Sequence, residues 1–279
     1  MTISVIVPTY NEKATLGKCI ESLDFQTHND FEIIVVDDGS TDNTQSVVRN
    51  IKYQISNIKY LEQKHKGAGA ARNLGAGAAV GEILVFVDAD MTFDKDFLGN
   101  LVEPIEKGLT QGTFSKEEYV ANWDNIWARS WNTNEGWEDR RRHPRNYPDT
   151  QPVFRAILKS EFDRVGGFTP GGYDDDWSLS KKLGYDAVNA PGAVFYHNNP
   201  ESLIEVFKQA SWVGKRQYKL GYLGNFIALL RSSFPVSVLV GLYKSLVIFN
   251  FHFSIFKIVY DFGIFMGILE FIFFGKKSK

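Results

Sequence analysis

Residues 84–90 read Leu-Val-Phe-Val-Asp-Ala-Asp, an apolar run that ends in two carboxylates one residue apart. Four consecutive apolar residues, two of them β-branched, predict a buried strand at the centre of a parallel sheet. Ligands of open α/β sheets bind beyond the carboxyl ends of the strands, which is the position of Asp88 and Asp90. Two such carboxylates repel each other unless a cation lies between them, and hard oxygen ligands favour Mg²⁺ or Mn²⁺. The alternative is that Asp90 only starts the next helix.

Strands and helices alternate on the N-terminal side of this stretch. Strands are predicted at 3–7, 31–36, 58–61 and 83–87, and helices at 14–25, from 40–42 to about 50, and at 68–80. Such alternation with short connections predicts an α/β fold, Rossmann-like, with a mostly parallel sheet covered by helices on both faces. Because polar residues follow three of these four strands, we expect them to gather along one edge of the sheet.

Composition limits the class of protein. The chain has 279 residues, of which 44% are hydrophobic and 14% aromatic, enough for one large core or two smaller ones. The single cysteine, Cys19, falls in a helical apolar pattern and is predicted to be a core residue, so no disulfide framework is expected. The first eight residues lack the basic region and the long apolar run of a signal peptide, which indicates the first strand of a cytoplasmic domain.

The C-terminal part differs sharply in composition. Residues 226–279 carry six Lys/Arg and two Asp/Glu, whereas residues 1–225 carry 25 and 31. Two apolar runs, 232–256 and 258–274, are near the length of a membrane span, but both contain charges. They fit a hairpin of two spans or two interfacial helices, and a soluble helical subdomain is the alternative. We therefore expect a membrane-associated helical tail at 226–279, held at the cytoplasmic face by its basic residues, and no nucleic-acid partner.

Small residues dominate the segment 67–77. Its glycines do not follow the spacing of a dinucleotide-binding loop, because the sixth position from Gly67 is Arg72. The small side chains favour close approach of a helix to the sheet, and the N-terminal amides of this helix together with Arg72 can face an anion. The alternative is that Arg72 is an ordinary solvated helix residue.

Four motifs occur in a fixed order: Ser-Val-Ile-Val-Pro-Thr-Tyr-Asn-Glu at 4–12, Val-Asp-Asp-Gly-Ser-Thr-Asp at 36–42, the Gly/Arg segment at 67–75, and Asp-Ala-Asp at 88–90. In order and spacing they resemble the family 2 glycosyltransferases of GT-A fold. The resemblance implies a nucleotide-diphosphate sugar donor, linked to UDP or GDP, and Mn²⁺ or Mg²⁺ as cofactor. The positions that it assigns to nucleotide binding are Pro8, Tyr10, Glu12, Asp38, Arg72 and Asp88. The metal ligands that it implies are Asp90, Asp88 and His197, although an isolated histidine is more commonly an ordinary core or surface residue.

The resemblance extends into the second half of the chain. Gly-Gly-Phe at 166–168 and three aspartates at 174–176 before Trp177 look like the acceptor side of the family's site. A hydroxyl acceptor needs a carboxylate that takes its proton, and the alignment favours Asp176, with Asp175 as the neighbouring candidate. The alternative is a charged helix start. The segment 209–216 lacks the arginine of the family's Q-x-x-R-W motif at its place, so we expect a non-processive enzyme.

Residues 114–150 are the least informative part of the chain. Trp123, Trp127 and Trp131 recur every four residues, which predicts one helix face that either packs in a core or stacks on a sugar ring.

These observations predict a catalytic domain at 1–225, with a nucleotide-sugar half at 1–110 and an acceptor half at 111–225. The expected activity is inverting transfer of one sugar to a hydroxyl of a glycan or lipid-linked acceptor. One alternative is a polyprenyl-phosphate sugar synthase, and another is an inactive nucleotide-sugar-binding scaffold protein.

Overall fold

The structure is a computed structural model that describes residues 1–52, 55, 57–170, 175–216 and 218–275. It divides into two compact units. The first consists of Met1–Tyr119 and Asn146–His197, and the second of Val120–Arg145 and Asn198–Ser278. This division differs from the predicted boundary between residues 225 and 226, because the second unit also takes in two segments whose composition is ordinary for a globular protein.

The strands of the structure are β1 Ile3–Thr9, β2 Phe31–Asp37, β3 Ile58–Glu62, β4 Ile83–Phe86, β5 Met91–Phe93, β6 Gly112–Phe114, β7 Glu118–Val120, β8 Thr150–Gln151, β9 Ala156–Leu158, β10 Ala187–Asn189 and β11 Phe195–His197. The helices are α1 Leu16–Asp24, α2 Thr44–Lys52, α3 Ala68–Ala78, α4 Phe97–Glu106, α5 Ile126–Glu135, α6 Lys159–Arg164, α7 Ser178–Leu183, α8 Leu203–Gly214, α9 Gly221–Arg231, α10 Phe234–Val247 and α11 His252–Phe274. A single 3₁₀ turn, Asp175–Trp177, precedes α7 in the described chain.

Within the described residues, the larger sheet has eight strands in the order β3-β2-β1-β4-β9-β6-β10-β8. The strands β3, β2, β1 and β4 run parallel, and β9 pairs antiparallel with both β4 and β6. Alternate residues of β1 enter different cores, with Val5 and Val7 facing the side of α1 and Ile6 facing the side of α3. The predicted α/β fold with a mostly parallel sheet is confirmed, and so is the burial of Cys19.

The close approach of α3 to the sheet follows from its small residues. A Cβ atom on Gly75 would lie 2.6 Å from Cγ2 of Ile6 on β1 and 3.1 Å from Cγ2 of Val36 on β2. The helix therefore rests directly on the two strands, and its first turn begins at the carboxyl edge of the sheet.

A second sheet of the first unit has the order β5-β11-β7 in the described residues. Its central strand, β11, pairs antiparallel with β5, so that His197 lies opposite Met91. The residue before β5 is Asp90, and β7 begins at Glu118. This small sheet brings distant parts of the chain to the region that follows β4.

The second unit is helical. Trp131 of α5 is 5% exposed and packs on α11, with ring centroids 6.4 Å from Phe256 and 5.3 Å from Tyr260. Trp131 is thus a core residue, whereas Trp123 lies before the first residue of α5 and does not share its helix. The helix α8 also packs closely on α11, because a Cβ atom on Gly214 would lie 2.5 Å from the carbonyl oxygen of Ile264.

The two apolar runs do not correspond to two helices. The first run contains α10 and the beginning of α11, which are separated by a turn in which Phe249 has a positive φ of 52°. In the part of the chain that the structure describes, no single helix has both the length and the apolar composition of a membrane span. By those two measures alone, the pair α9 and α10, bent by 58°, qualifies when taken together.

Candidate functional site

The carboxyl edge of the parallel strands collects the side chains that the sequence singled out in the first unit. Tyr10 follows β1, Asp38 follows β2, and Asp88 and Asp90 follow β4. Because β1 lies between β2 and β4 and runs parallel to both, these residues leave the sheet at the same edge. Pro8 lies within β1 opposite Val36 and is buried, so it shapes the strand end and offers little surface to a ligand.

Asp88 is held by two arginines. Its Oδ1 accepts a hydrogen bond from Nη2 of Arg72 at 2.8 Å, and its Oδ2 accepts one from Nη1 of Arg155 at 3.1 Å. Arg72 also donates from Nη1 to Oδ1 of Asp176. The Arg72 and Arg155 side chains are only 8% and 17% exposed, which makes this a partly buried row of alternating charges.

The pKa values within this cluster respond to burial and to charge in opposite directions. Burial raises the pKa of Asp88, but the charges of Arg155 and Arg72 outweigh it and hold that pKa well below its usual range. Burial lowers the pKa of Arg72, but the carboxylates of Asp176 and Asp88 outweigh it and raise that pKa. Both groups are therefore ionised at neutral pH.

Asp90 contacts a histidine instead of an arginine. Its Oδ2 lies 2.7 Å from Nε2 of His197, at the end of β11. The other ring nitrogen of His197, Nδ1, lies 3.1 Å from Oε1 of Glu118 on β7. The two aspartates of the Asp-Ala-Asp motif thus face different partners, although they are only two residues apart.

The fit of these groups to a divalent cation follows from their chemistry. Among the described residues, no group of three or more His, Cys, Asp or Glu side chains is arranged to hold a metal ion. Asp90 and His197 nevertheless bring a carboxylate oxygen and an imidazole nitrogen together, and Mn²⁺ accepts both donors. Ions bound with a nucleotide commonly use one or two protein carboxylates, with phosphates supplying other positions. The pair therefore fits an ion that is bound together with a diphosphate.

Asp38 is bound by the segment that precedes α3. Its Oδ1 accepts hydrogen bonds from Nε2 of Gln63 at 2.7 Å and from the backbone N–H of Lys66 at 2.8 Å. Its Oδ2 accepts one from the N–H of Gly67 at 2.8 Å and lies 2.8 Å from Nδ1 of His65. Four partners are close to the capacity of a carboxylate, so Asp38 fixes the position of the segment 63–67.

His65 and Tyr10 form an aromatic pair above this carboxylate. Their ring centroids are 4.2 Å apart with an interplanar angle of 24°, and both side chains are 42% exposed. The exposed ring faces offer a stacking surface for a planar group such as a nucleobase.

Glu12 lies deeper, at the entrance to α1. Its Oε2 accepts a hydrogen bond from Oγ1 of Thr15 at 2.6 Å, and its backbone N–H donates to Oγ1 of Thr44 at 3.0 Å. Burial raises the pKa of Glu12, and the negative charges of Asp90 and Asp88 act in the same direction. Glu12 is thus an electrostatic neighbour of both aspartates, without a direct hydrogen bond to either.

The structure separates the two candidate bases. Asp176 reaches Arg72, whereas Asp175 lies against the first turn of α3, where a Cβ atom on Gly69 would be 2.6 Å from its Oδ2. Asp174, the first of the three aspartates, lies outside the described residues. The site thus brings Asp176, Arg72 and Asp88 into one network, and Asp90 and His197 into another.

Three side chains of the site were not assigned by sequence: Arg155, Glu118 and His65. Arg155 stands directly before the buried strand β9, which is too short to be recognised from the sequence pattern. Glu118 opens a short strand that has no recognisable motif. His65 lies two residues before Gly67, just outside the Gly/Arg segment at 67–75.

Comparison with known proteins agrees with this geometry. The pattern of the family described as "Glycosyl transferase family 2" matches residues 4–173. An uncharacterized glycosyltransferase of Nostoc sp. is 43% identical over 104 residues, which are 37% of this chain and 32% of that protein. The GalNAc(5)-diNAcBac-PP-undecaprenol beta-1,3-glucosyltransferase of Campylobacter jejuni is 41% identical over 127 residues, 41% of each chain. The chain thus spans well under half the length of these relatives.

Solved structures show the same fold. The mannosyltransferase PcManGT from Pyrobaculum calidifontis, in complex with GDP-Man and Mn²⁺, has a TM-score of 0.64 at 20% identity, covering 98% of this chain and 88% of that one. S. aureus TarS 1-349 in complex with UDP-GlcNAc has a TM-score of 0.60 at 17% identity, covering 100% and 93%. These neighbours are glycosyltransferases of the GT-A type. Since the family pattern covers more than half of the sequence, the chain belongs to glycosyl transferase family 2 and has the GT-A fold.

Proposed function

We propose that this protein is an inverting glycosyltransferase that moves one sugar from a nucleotide-diphosphate sugar to a hydroxyl of an acceptor. The observation that carries the proposal is the convergence of two charge networks at one sheet edge. Arg72 and Arg155 hold Asp88 and Asp176 on one side, and Asp90 meets His197 on the other. Family membership and GT-A neighbours that bind GDP-Man or UDP-GlcNAc support the choice of donor class.

The donor is proposed to lie across the end of β4. Its base stacks on Tyr10 and His65, and the segment 63–67 that Asp38 fixes borders the base. Asp90 and His197 would hold Mn²⁺ or Mg²⁺ against the diphosphate. When bound, such an ion neutralises the negative charge that the departing diphosphate develops. The solved neighbour that contains both a nucleotide sugar and Mn²⁺ supports the cofactor.

The acceptor reaction is proposed to use Asp176. The acceptor hydroxyl forms a bond to the anomeric carbon, the bond from that carbon to the diphosphate oxygen breaks with its electron pair, and the hydroxyl proton passes to the Asp176 carboxylate. Attack from the face opposite the leaving group inverts the configuration. Arg72 contacts Oδ1 of Asp176 and thereby positions the carboxylate.

The acceptor is proposed to be a glycan on a lipid carrier. The Campylobacter jejuni relative is named for a substrate of that type, an oligosaccharide on undecaprenyl diphosphate. The proposed role of Asp176 as a base is consistent with this choice, because a base serves a hydroxyl acceptor rather than an already ionised phosphate.

We further propose that α9, α10 and α11 of the second unit bind the cytoplasmic face of a membrane. The pattern of α10 supports this proposal, because its buried residues are Ser237, Gly241 and Ser245, whereas its outward side chains are large and apolar. Leu239 and Leu246 on that side are 69% and 62% exposed. Apolar surface of this kind is typical of helices that contact lipid, and the basic excess of residues 226–279 favours anionic headgroups.

The membrane proposal is tested with vesicles that contain phosphatidylglycerol and phosphatidylcholine. The protein should sediment with them, and the triple variant Leu239→Ser, Leu242→Ser and Leu246→Ser should stay in the supernatant. Leu109→Ser, at a 76% exposed leucine of the first unit, is the matched control. If the parent protein does not sediment with these vesicles, the proposal fails.

The activity is tested by heating the protein with a panel of nucleotide sugars in MnCl₂ and, separately, in EDTA. A ligand at a hundred times its dissociation constant stabilises the folded state by about 2.7 kcal/mol, which is a readily measured rise in the unfolding midpoint. One class of nucleotide sugar should stabilise the protein more in MnCl₂ than in EDTA, and the protein should then hydrolyse or transfer that sugar. Binding without turnover with any acceptor would favour a scaffold protein.

A further inference from the structure

The smaller sheet of the first unit places two carboxylates on either side of one imidazole. His197 ends the central strand β11, Asp90 directly precedes β5, and Glu118 begins β7. Nε2 of His197 is 2.7 Å from Oδ2 of Asp90, and Nδ1 is 3.1 Å from Oε1 of Glu118. The sheet order thus gives each ring nitrogen its own carboxylate.

The chemistry of the ring makes these two contacts unequal. A neutral imidazole carries a proton on one nitrogen and a lone pair on the other, and only the nitrogen with the lone pair can bind a metal ion. When a cation binds to Nε2 beside Asp90, the ring proton must lie on Nδ1, where the carboxylate of Glu118 accepts it. The contact with Glu118 also fixes the rotation of the ring.

Exposure separates the roles of the two carboxylates. The Glu118 side chain is 22% exposed and that of His197 is 16% exposed, whereas that of Asp90 is 35% exposed. Asp90 is therefore the more accessible of the two carboxylates, and Glu118 is the more buried one. Water competes less for the contact between Glu118 and His197 than for a surface ion pair.

We propose that Glu118 is the positioning residue of this site, a carboxylate that orients His197 toward the divalent cation without binding the cation itself. The inference rests on the proposed function, since it concerns the cation that binds with the nucleotide. It adds a residue that belongs to none of the sequence motifs and that acts on metal affinity through another side chain.

The test measures the affinities of UDP and GDP by calorimetry in saturating MnCl₂ and in EDTA. In Glu118→Ala, the gain in affinity due to Mn²⁺ should fall by about 10- to 100-fold, as is typical when the partner of a metal-binding histidine is removed. Affinity in EDTA should stay unchanged. Glu118→Gln keeps an acceptor oxygen for the Nδ1 proton. Its gain in affinity due to Mn²⁺ should therefore lie between that of the parent protein and that of Glu118→Ala.

Two further variants show that Glu118 acts through the imidazole. In a double-variant cycle, Glu118→Ala should cause no further loss once His197→Ala is present. Glu117→Ala is the matched control, because this neighbouring glutamate accepts a hydrogen bond from the backbone of Gly192 and belongs to neither charge network. It should leave the effect of Mn²⁺ unchanged.

The outcomes separate this inference from the proposed function. If Mn²⁺ does not increase the affinity of the parent protein for UDP or GDP, both fail. Only the role of Glu118 is refuted if Asp90→Ala and His197→Ala abolish the gain in nucleotide affinity due to Mn²⁺ but Glu118→Ala retains that gain. The same holds if Glu118→Ala weakens nucleotide binding as much in EDTA as in MnCl₂. Should Glu118→Ala not fold, Glu118→Gln decides: a loss confined to MnCl₂ supports the role, and no loss overturns it.

Discussion

The two aspartates of the Asp-Ala-Asp motif should contribute very differently to stability. Asp88 is the carboxylate partner of two arginines, at 2.8 Å from Arg72 and 3.1 Å from Arg155. Opposite charges about 4 Å apart attract by roughly 4 kcal/mol at an effective dielectric constant of about 20. Removing one partner of a buried ion pair typically costs about 3–5 kcal/mol, because the other charge remains buried. The Asp88 side chain is 31% exposed, so solvent weakens these ion pairs. We therefore expect Asp88→Ala to lower the free energy of unfolding by about 2–4 kcal/mol.

Asp90 is the matched control at the other end of the same motif. Its side chain is 35% exposed and contacts only His197 among the groups described above. Its negative charge is repelled by the like charges of Asp88 and Glu12. The free energy of unfolding of Asp90→Ala should therefore differ from that of the parent protein by less than about 1 kcal/mol. Urea unfolding followed by tryptophan fluorescence in EDTA measures both variants without linkage to metal binding. If Asp88→Ala and Asp90→Ala lowered the free energy of unfolding equally, the separation of the two charge networks would be refuted.

Three other perturbations test neighbouring parts of the structure. Asp176→Asn should lower turnover at saturating donor by about 10²- to 10⁴-fold while donor affinity stays unchanged, and Asp175→Asn should lose much less; the reverse ranking would mean that Asp175 is the base. Gly75→Ala should lower the free energy of unfolding by about 1–3 kcal/mol, because its Cβ atom meets side chains of the sheet. Gly77 lies in the same helix, and a Cβ atom there would have no atom within 4 Å, so Gly77→Ala should raise the free energy of unfolding by about 0.5–1 kcal/mol. Equal effects of Gly75→Ala and Gly77→Ala would contradict the close packing of this helix on the sheet. The pKa of Asp88 is lower in the folded than in the unfolded protein, so the stability that its ionised form supplies is present above about pH 4 and lost in more acidic solution. The stability difference between the parent protein and Asp88→Asn should accordingly shrink below pH 4, by at most about 1.4 kcal/mol per pH unit, and a difference that does not change with pH would argue against the ion pairs.

The parts of the fold that depend on local pattern were predictable. The four parallel strands follow from short apolar segments that alternate with helical patterns, and the close packing of α3 follows from the glycine and alanine residues of that helix. The place of β9 between β4 and β6 was not predictable, because a three-residue strand has no signal of its own and its partners lie far away in sequence.

In the candidate site, too, local sequence patterns predicted some residues but not the contacts made through the tertiary fold. Arg72, Asp88 and Asp90 stand in motifs, so their types and spacing predicted charged groups at the sheet edge. The family resemblance grouped His197 with Asp90, and the two side chains lie together in the structure. No motif predicted that two arginines would hold Asp88, since Arg155 reaches the edge only through the tertiary fold. The second unit includes α5 for a related reason, because α5 packs on α11 through aromatic contacts that composition does not reveal.

The most direct test of the proposed function is a calorimetric titration of UDP- and GDP-linked sugars into the parent protein and Asp90→Ala, with MnCl₂ and with EDTA. The proposed site predicts that one class of donor binds the parent protein more tightly in MnCl₂ than in EDTA, and that Asp90→Ala loses this difference. Failure of every donor to bind, or an undiminished effect of Mn²⁺ in Asp90→Ala, would contradict it.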